Sequence, residues 1–388
     1  MFKFKIASLS LILIGMLFTF DNLNAQWVIM KHDADSLVRQ GTYYIYNVEF
    51  DKAENCFNQI KKMYPNHPAG YFLDAMVDWW KITLNRETKR HDKPFEDKIE
   101  RVLNICDKIL DTNEHDLTAL FFKAGATGYR ARHYAQRESW VKAATDGASA
   151  YNLMIRCQKL APANHDIMLG TGIYNYFAVA IPEKFPMVKP MMTFFPRGDK
   201  QLGIYQLRAA SRKARYAAVE ARVVLLQIYN SFEKDFEIAQ SIAKELLDTY
   251  NNNPYFHRYY ARLLVRRGEQ MGYEQEWREI LVRCMDKKVG YDNSTAREAM
   301  YYIGLSLMRR KESESALKYF LKANEGRIID EEDSGFAVNI NIFIGNLYDQ
   351  KGQHERAKPY YQEVLKMKEF DNSHTKAKIY LEKPYGKR

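Results

Sequence analysis

The nine histidines and four cysteines are the residues of this 388-residue chain best able to hold a metal or act as nucleophiles. A zinc-dependent hydrolase needs two histidines one helical turn apart with a glutamate between them, and a structural zinc or redox site needs closely paired cysteines. Neither pattern occurs. The histidines are scattered with no i, i+4 pair, and there is no C-x-x-C. Cys56, Cys106 and Cys157 recur at similar steps and read as small apolar core residues. Glu331, Glu332 and Asp333 form an acidic run that reads as a solvated loop between Arg327 and Ser334. No glycine-rich phosphate loop follows a strand, and no G-x-S-x-G nucleophile elbow is present. These residues assign no catalytic, cofactor-binding or metal-ligating site, and the expectation is a chain without enzymatic activity.

Charge is the next chemical signal. The formal net charge is +10, which attracts anionic partners over the screening length of the solvent. Arg258, Arg262 and Arg266 repeat every four residues and share one helical face. Arg208, Arg212 and Arg215, with Lys213 and Arg222 nearby, form a second basic patch. Each reads first as a solvated face. The sharper alternative is an acidic protein, a glycan or a lipid head group. Nucleic acid is not expected, because the N-terminus reads as an export signal.

The elements that carry these residues are set by a spacing that occurs three times. Gly345, Ala357, Tyr361 and Val364 repeat the register of Gly304, Ala316, Phe320 and Ala323, and of Gly41, Ala53, Phe57 and Ile60. The small residue and the alanine lie twelve positions apart, and an aromatic follows four later. Glycine inside a helix costs about 1 kcal/mol against alanine, so its placement implies that a second helix must come close there. Gly304 is expected to meet Ala316 small against small, with Leu307 and Phe320 interlocking around that contact, as Tyr348 and Tyr361 do around Gly345 and Ala357. The pattern describes two short antiparallel helices, and it resembles the tetratricopeptide repeat, in which small residues, an alanine and an aromatic take these offsets and a proline closes the second helix. Pro65 supplies that proline in the first repeat. The resemblance implies an all-α fold, a tetratricopeptide-repeat α-solenoid of antiparallel helix pairs wound into a right-handed superhelix.

Along the chain, Met1 to Ala25 has the three parts of a secretory signal peptide: Lys3 and Lys5, the apolar run Ile6 to Phe20, and a polar tail ending at Ala25. Cleavage there would give an exported protein, periplasmic or secreted; an uncleaved N-terminal anchor is the alternative. The remainder, 26–388, reads as one helical-repeat domain, clearest at 34–67, 297–324 and 338–368. Adjacent Trp79 and Trp80 cannot both face one core squarely, so one ring is expected to cap a neighbouring repeat or join a binding surface. Gly268 is placed as a helix cap, and His374 to Leu381 as the closing helix.

Residues 181–197 stand apart. Pro182, Pro186, Pro190 and Pro196 alternate with Phe185, Met187, Val188, Phe194 and Phe195. Such a segment reads as a long loop that folds back on the helices; a partner-docking arm or a peripheral membrane contact is the functional alternative. The motif Gly172-Ile173-Tyr174-Asn175-Tyr176, this loop, Phe195-Pro196-Arg197-Gly198-Asp199 and Gly203-Ile204-Tyr205-Gln206-Leu207 are similar to the eukaryotic inclusion-body-clearance and outer-mitochondrial tetratricopeptide family. That resemblance implies an adaptor and supplies no catalytic residue, and the export signal departs from that family's cytosolic address.

By register, a protein or peptide partner would meet Tyr301, Leu305, Arg309, Asn346, Asp349 and Gln350 in a concave groove lined by first helices, with Phe185, Phe194 and Phe195 as loop contacts. The expected function is a protein-interaction scaffold of the bacterial cell envelope. The alternative is a soluble binder of a glycan or other small ligand, motivated by 27 tyrosines.

Overall fold

The computed structural model describes residues 32–86, 88–193, 195–326 and 335–386. The expected signal peptide, Phe194 and the acidic run Glu331 to Asp333 lie outside the described residues. Every regular element among the described residues is helical. The helices form two compact units: Met1–Arg39, Ile60–Gly70 and Arg101–Ala218 make the first, and Gln40–Gln59, Tyr71–Glu100 and Val219–Arg388 make the second.

The chain runs through α1 (His32–Tyr46), α2 (Phe50–Met63), α3 (Pro68–Leu84), α4 (Asp92–Leu110), α5 (Leu117–Gln136), α6 (Trp140–Leu160) and α7 (Ile167–Lys184). A short 3-10 turn (Pro186–Val188) and α8 (Lys189–Met192) lead to α9 (Lys200–Lys213) and α10 (Ala218–Ser231). The rest is α11 (Phe236–Thr249), α12 (Pro254–Arg267), α13 (Gln270–Met285), α14 (Asn293–Arg309), α15 (Ser313–Glu325), α16 (Gly335–Gln350), α17 (His354–Val364) and α18 (Ser373–Glu382).

In the first unit, α5 and α6 form a hairpin over a core of Leu120, Ala124, Met154, Cys157 and Ile167. Asp116 caps α5 by accepting from the Ala119 N–H at 2.8 Å, which satisfies a donor the helix cannot. Arg130 and Asp146 bind across the hairpin through two hydrogen bonds of 2.7 and 3.2 Å. Helices α7 and α9 cross at glycines. A Cβ on Gly203 would lie 2.6 Å from the Tyr176 backbone nitrogen and 2.9 Å from the Gly172 carbonyl oxygen. Beside that crossing, buried Asn175 donates to Gln206 Oε1 at 2.9 Å. The two similar motifs, Gly172 to Tyr176 and Gly203 to Leu207, are therefore partners in one contact.

The second unit contains all three of the recurring glycine positions. The structure seats the aromatic ring of each pattern directly on the glycine: an added Cβ would lie 2.4 Å from the Phe57 ring at Gly41, 2.5 Å from Phe320 at Gly304 and 2.4 Å from Tyr361 at Gly345. Ala53, Ala316 and Ala357 are fully buried nearby. Gly268 ends α12 with φ +75°, its N–H reaching back into the last turn, as the sequence placed it. Trp79 and Trp80 are both buried. Trp79 faces Phe95 at 5.8 Å, and Trp80 sits among Tyr46, Tyr255 and Phe256 while donating to Glu220 at 3.0 Å. Neither ring is a surface contact.

The segment 181–197 is more ordered than a loop. Helix α7 continues through Pro182 to Lys184, since a proline in a last turn removes only one internal hydrogen bond. Val188 is buried, Phe185 packs on Trp140 at 5.3 Å, and the Tyr174 hydroxyl donates to the Pro196 carbonyl at 2.9 Å. Met187 projects, 80% exposed.

Candidate functional site

The arginine row on α12 does not face solvent freely. Arg258 and Arg262 both bind the carboxylate of Glu298 on α14, at 2.8 and 2.7 Å. Arg266 turns the other way and donates to the Asn230 carbonyl on α10 at 3.3 Å. One helical row thus ties three successive first helices together. Burial pushes the Glu298 carboxyl up, and the two guanidiniums more than reverse that, holding it below its ordinary value of 4.5. Glu274 on α13 makes the matching tie to α14: it binds Arg278 at 2.8 Å and also engages Ser306 and Arg310. Burial raises its carboxyl too, and these partners bring it below the usual range.

The first unit uses carboxylates in the same way. Buried Asp35 pairs with Arg215 at 2.7 Å and with the Tyr216 hydroxyl. Asp166, also buried, accepts the backbone N–H groups of Arg215, Tyr216 and Ala217 at 3.3, 2.8 and 2.8 Å. Arg215, read from sequence as part of a basic patch, is consequently an internal partner.

The residues placed on the expected groove divide. Tyr301 is buried against Phe320, Phe336 and Phe343, and Leu305 is half-buried at the edge of the same core. Asn346 and Asp349 are buried as well: Asp349 accepts from the Tyr361 hydroxyl and the Tyr385 N–H, both at 2.8 Å, and Asn346 lies 3.0 Å from that hydroxyl. These positions hold the end of the array closed and are corrected from partner contacts to internal ones. Arg309, lying over the Tyr273 ring at 5.9 Å, and Gln350 are exposed. Phe185 and Phe195 are half-buried. Several tyrosines fill interiors, Tyr46, Tyr176, Tyr273 and Tyr361 among them, and many others are half-buried.

A recess of about 820 Å³ opens on the other face of the second unit, between second helices α13 and α15. Leu281, Cys284 and Met285 line one wall, Ala296 and Met300 of α14 form the floor, and Tyr319 completes the opposite wall. Lys287, Lys318 and Lys322 stand at the rim, and Asp292 is the one acid lining it. Asp292 is already engaged, accepting from the Thr295 N–H at 2.8 Å to cap α14.

The four cysteines are free thiols. Burial pushes the thiols of Cys106, Cys157 and Cys284 up to about 12, which leaves them unreactive near neutral pH. The ligand atoms of His257, Glu276 and Glu279 lie within 4.8 Å of one another. That trio is satisfied internally: His257 meets Glu276 at 2.9 Å and the Tyr291 hydroxyl at 3.1 Å, and Arg283 pairs with Glu279 at 2.6 Å. The guanidinium takes the place beside Glu279 that a cation would need. The sequence hid this cluster because its members sit on two helices, and hid the ties of Glu298, Glu274, Asp35 and Asp166 because their partners are distant in the chain or backbone groups.

The architecture is that of an all-helical repeat protein. Residues 338–371, from within α16 through α17 to the turn beyond, match the tetratricopeptide repeat family, and that stretch is a repeat of this type within an all-helical chain. No curated protein sequence matches it. Among solved structures, the human IFIT1 dimer with m7Gppp-AAAA is 13% identical over 82% of this chain and 68% of its own, with a TM-score of 0.40. The APC/C hetero-tetramer Cut9-Hcn1 is 12% identical over 94% and 79%, TM-score 0.42. A Rap protein complexed with competence and sporulation factor is 11% identical over 90% and 78%, TM-score 0.35. These superpositions are loose, and the repeat assignment stands on the hairpins and the matched residues.

Proposed function

We propose that this chain is a non-enzymatic protein-interaction scaffold of the bacterial cell envelope, built to hold a segment of a partner protein. The observation that carries the reading is the repeat architecture itself. Glycine-seated hairpins are locked by charge ties that keep carboxylates such as Glu298 and Glu274 inside, so that the fold presents shape and rim charge rather than reactive groups. Export is the second part of the reading. It is supported by Lys3 and Lys5, the apolar run Ile6 to Phe20 and the small-residue end at Ala25. No helix among the described residues is long and apolar enough to cross a membrane.

Photoreactive residues at exposed Arg309 and Met187, activated in whole cells, test the scaffold. A discrete crosslinked protein at either position, abolished by competing untagged chain, is expected. Lipid capture alone, or no capture at either position, would overturn it. N-terminal sequencing of the mature protein tests export, and survival of Met1 would refute cleavage.

A further inference from the structure

We infer that the recess between α13 and α15 is a docking site for an amphipathic partner helix that carries carboxylates one turn apart beside its apolar face. This deepens the scaffold reading and rests on it. The lining divides cleanly by chemistry. The floor and walls are apolar and adaptable, with Met285, Met300 and Cys284 offering soft side chains that refit around an occupant. The rim is cationic: Lys287, Lys318 and Lys322 face one lining acid, Asp292, whose carboxylate is taken up in capping α14.

Two further observations point to a helix as the occupant. Lys318 and Lys322 are four residues apart on α15, so they stand about 6 Å apart along one edge. Carboxylates at i and i+4 on a helix lying beside α15 repeat that interval. Among the described residues Lys322 pairs with Glu325 at 3.2 Å, with both side chains largely in water. Such a pair contributes little and exchanges readily. In addition, large apolar side chains that are normally scattered singly on a surface collect at this end of α13. Val282 is 48% exposed, Met285 67% and Val289 57%. Val282 and Met285 are three apart and share the face that borders the recess. An apolar strip continuous with a lysine-rimmed trough matches one side of an acidic amphipathic helix. The site's walls and lysine rim lie on second helices and the turn after α13, and none of the groove positions chosen from sequence register lines it.

The test uses the full mature chain and two labelled synthetic helices. One has leucines at i, i+3, i+4 and i+7 with glutamates four residues apart on the flank; the other has lysines in place of those glutamates. Fluorescence anisotropy should show binding of the acidic helix and none of the basic one. Lys318→Glu/Lys322→Glu should weaken the acidic helix about tenfold and confer binding of the basic helix. Benzoylphenylalanine at Met285 should crosslink the acidic helix, and the same group at exposed Tyr205 should not. Equal binding of both helices, an unchanged affinity in the double variant, or displacement of the helix by decanoate with no effect of the lysines would overturn the inference. If the acidic helix fails here while Arg309 still captures a protein in cells, the recess is refuted and the scaffold reading stands.

Discussion

Replacing Gly304 by alanine tests the central packing claim, because helix propensity and packing predict opposite signs. Propensity alone favours alanine by about 1 kcal/mol. The added Cβ, however, would lie 2.5 Å from Cε1 of Phe320 and 2.9 Å from Cδ1 and Cζ. Carbon atoms rest at about 3.5 Å or more, so the ring must retreat by about 1 Å. It has nowhere to go: Phe320 is fully buried, with Phe343 5.6 Å and Tyr301 6.3 Å from its centroid. Overpacking of this kind costs about 1–3 kcal/mol, so after the propensity gain the net expectation is a loss of up to about 2 kcal/mol. Gly147 on α6 is the control, since nothing lies within 4 Å of its added Cβ; Gly147→Ala should gain up to about 1 kcal/mol. Hydrogen exchange of amides in 293–326, measured alongside urea unfolding, reads the local effect without assuming that the two units unfold together. In Gly304→Ala/Phe320→Leu the smaller side chain removes the clash, so the double variant should be more stable than the sum of the singles. Gly304→Ala proving as stabilising as Gly147→Ala would refute the seating of the ring on the glycine.

Three further outcomes follow from the same geometry. Gly203→Ala should cost about 3 kcal/mol or more, since its Cβ meets the Tyr176 backbone nitrogen at 2.6 Å and backbone cannot turn aside as a side chain can; thermal unfolding of the first unit reads it. Tyr361→Phe keeps the ring that Phe57 and Phe320 show to fit, and loses the hydroxyl bonded to Asp349, for a cost of about 1–2 kcal/mol by urea unfolding. Glu298→Gln should cost about 2–3 kcal/mol, less than a fully buried pair because Arg262 keeps 37% of its side chain exposed. Glu298 sits below its ordinary value of 4.5, so its contribution is complete above that pH and is lost as pH falls through the lower folded value. The acid limb of the stability profile should therefore be shallower in Glu298→Gln than in the parent.

What the sequence made legible was whatever one hairpin contains. Gly304 and Phe320 are sixteen residues apart, and their pairing follows from two helices and a turn, so spacing alone exposes it. The cap at Gly268 is local in the same sense. What escaped depends on contacts between distant residues. Asp35 and Arg215 are 180 positions apart, and the carboxylate of Asp166 satisfies three backbone groups that carry no sequence label. The start of 181–197 reads as loop because Pro182 falls in it, although a last helical turn tolerates a proline. Asn346 and Asp349 were placed outward by register, yet the closing segment brings Tyr385 onto Asp349 and encloses both.

The same contacts explain why the free charge of this surface stands on second-helix residues at the recess rim. Row residues of α12 and α14 hold each other through Glu298, and Arg310 and Arg278 hold Glu274, so charged groups that a groove would have offered a partner neutralise one another within the array. A buried carboxylate with two guanidiniums is costly to open, since breaking it strands a charge. Lys318 and Lys322 lie on α15 with no such buried acid, and each can exchange a weak surface neighbour for a ligand carboxylate. Rim charge on second helices is thus the mobile part of this surface, and charge on first helices the fixed part. Reversing Lys318 and Lys322 should accordingly change binding and leave stability within about 0.5 kcal/mol, whereas reversing Arg258 or Arg262 should do the opposite.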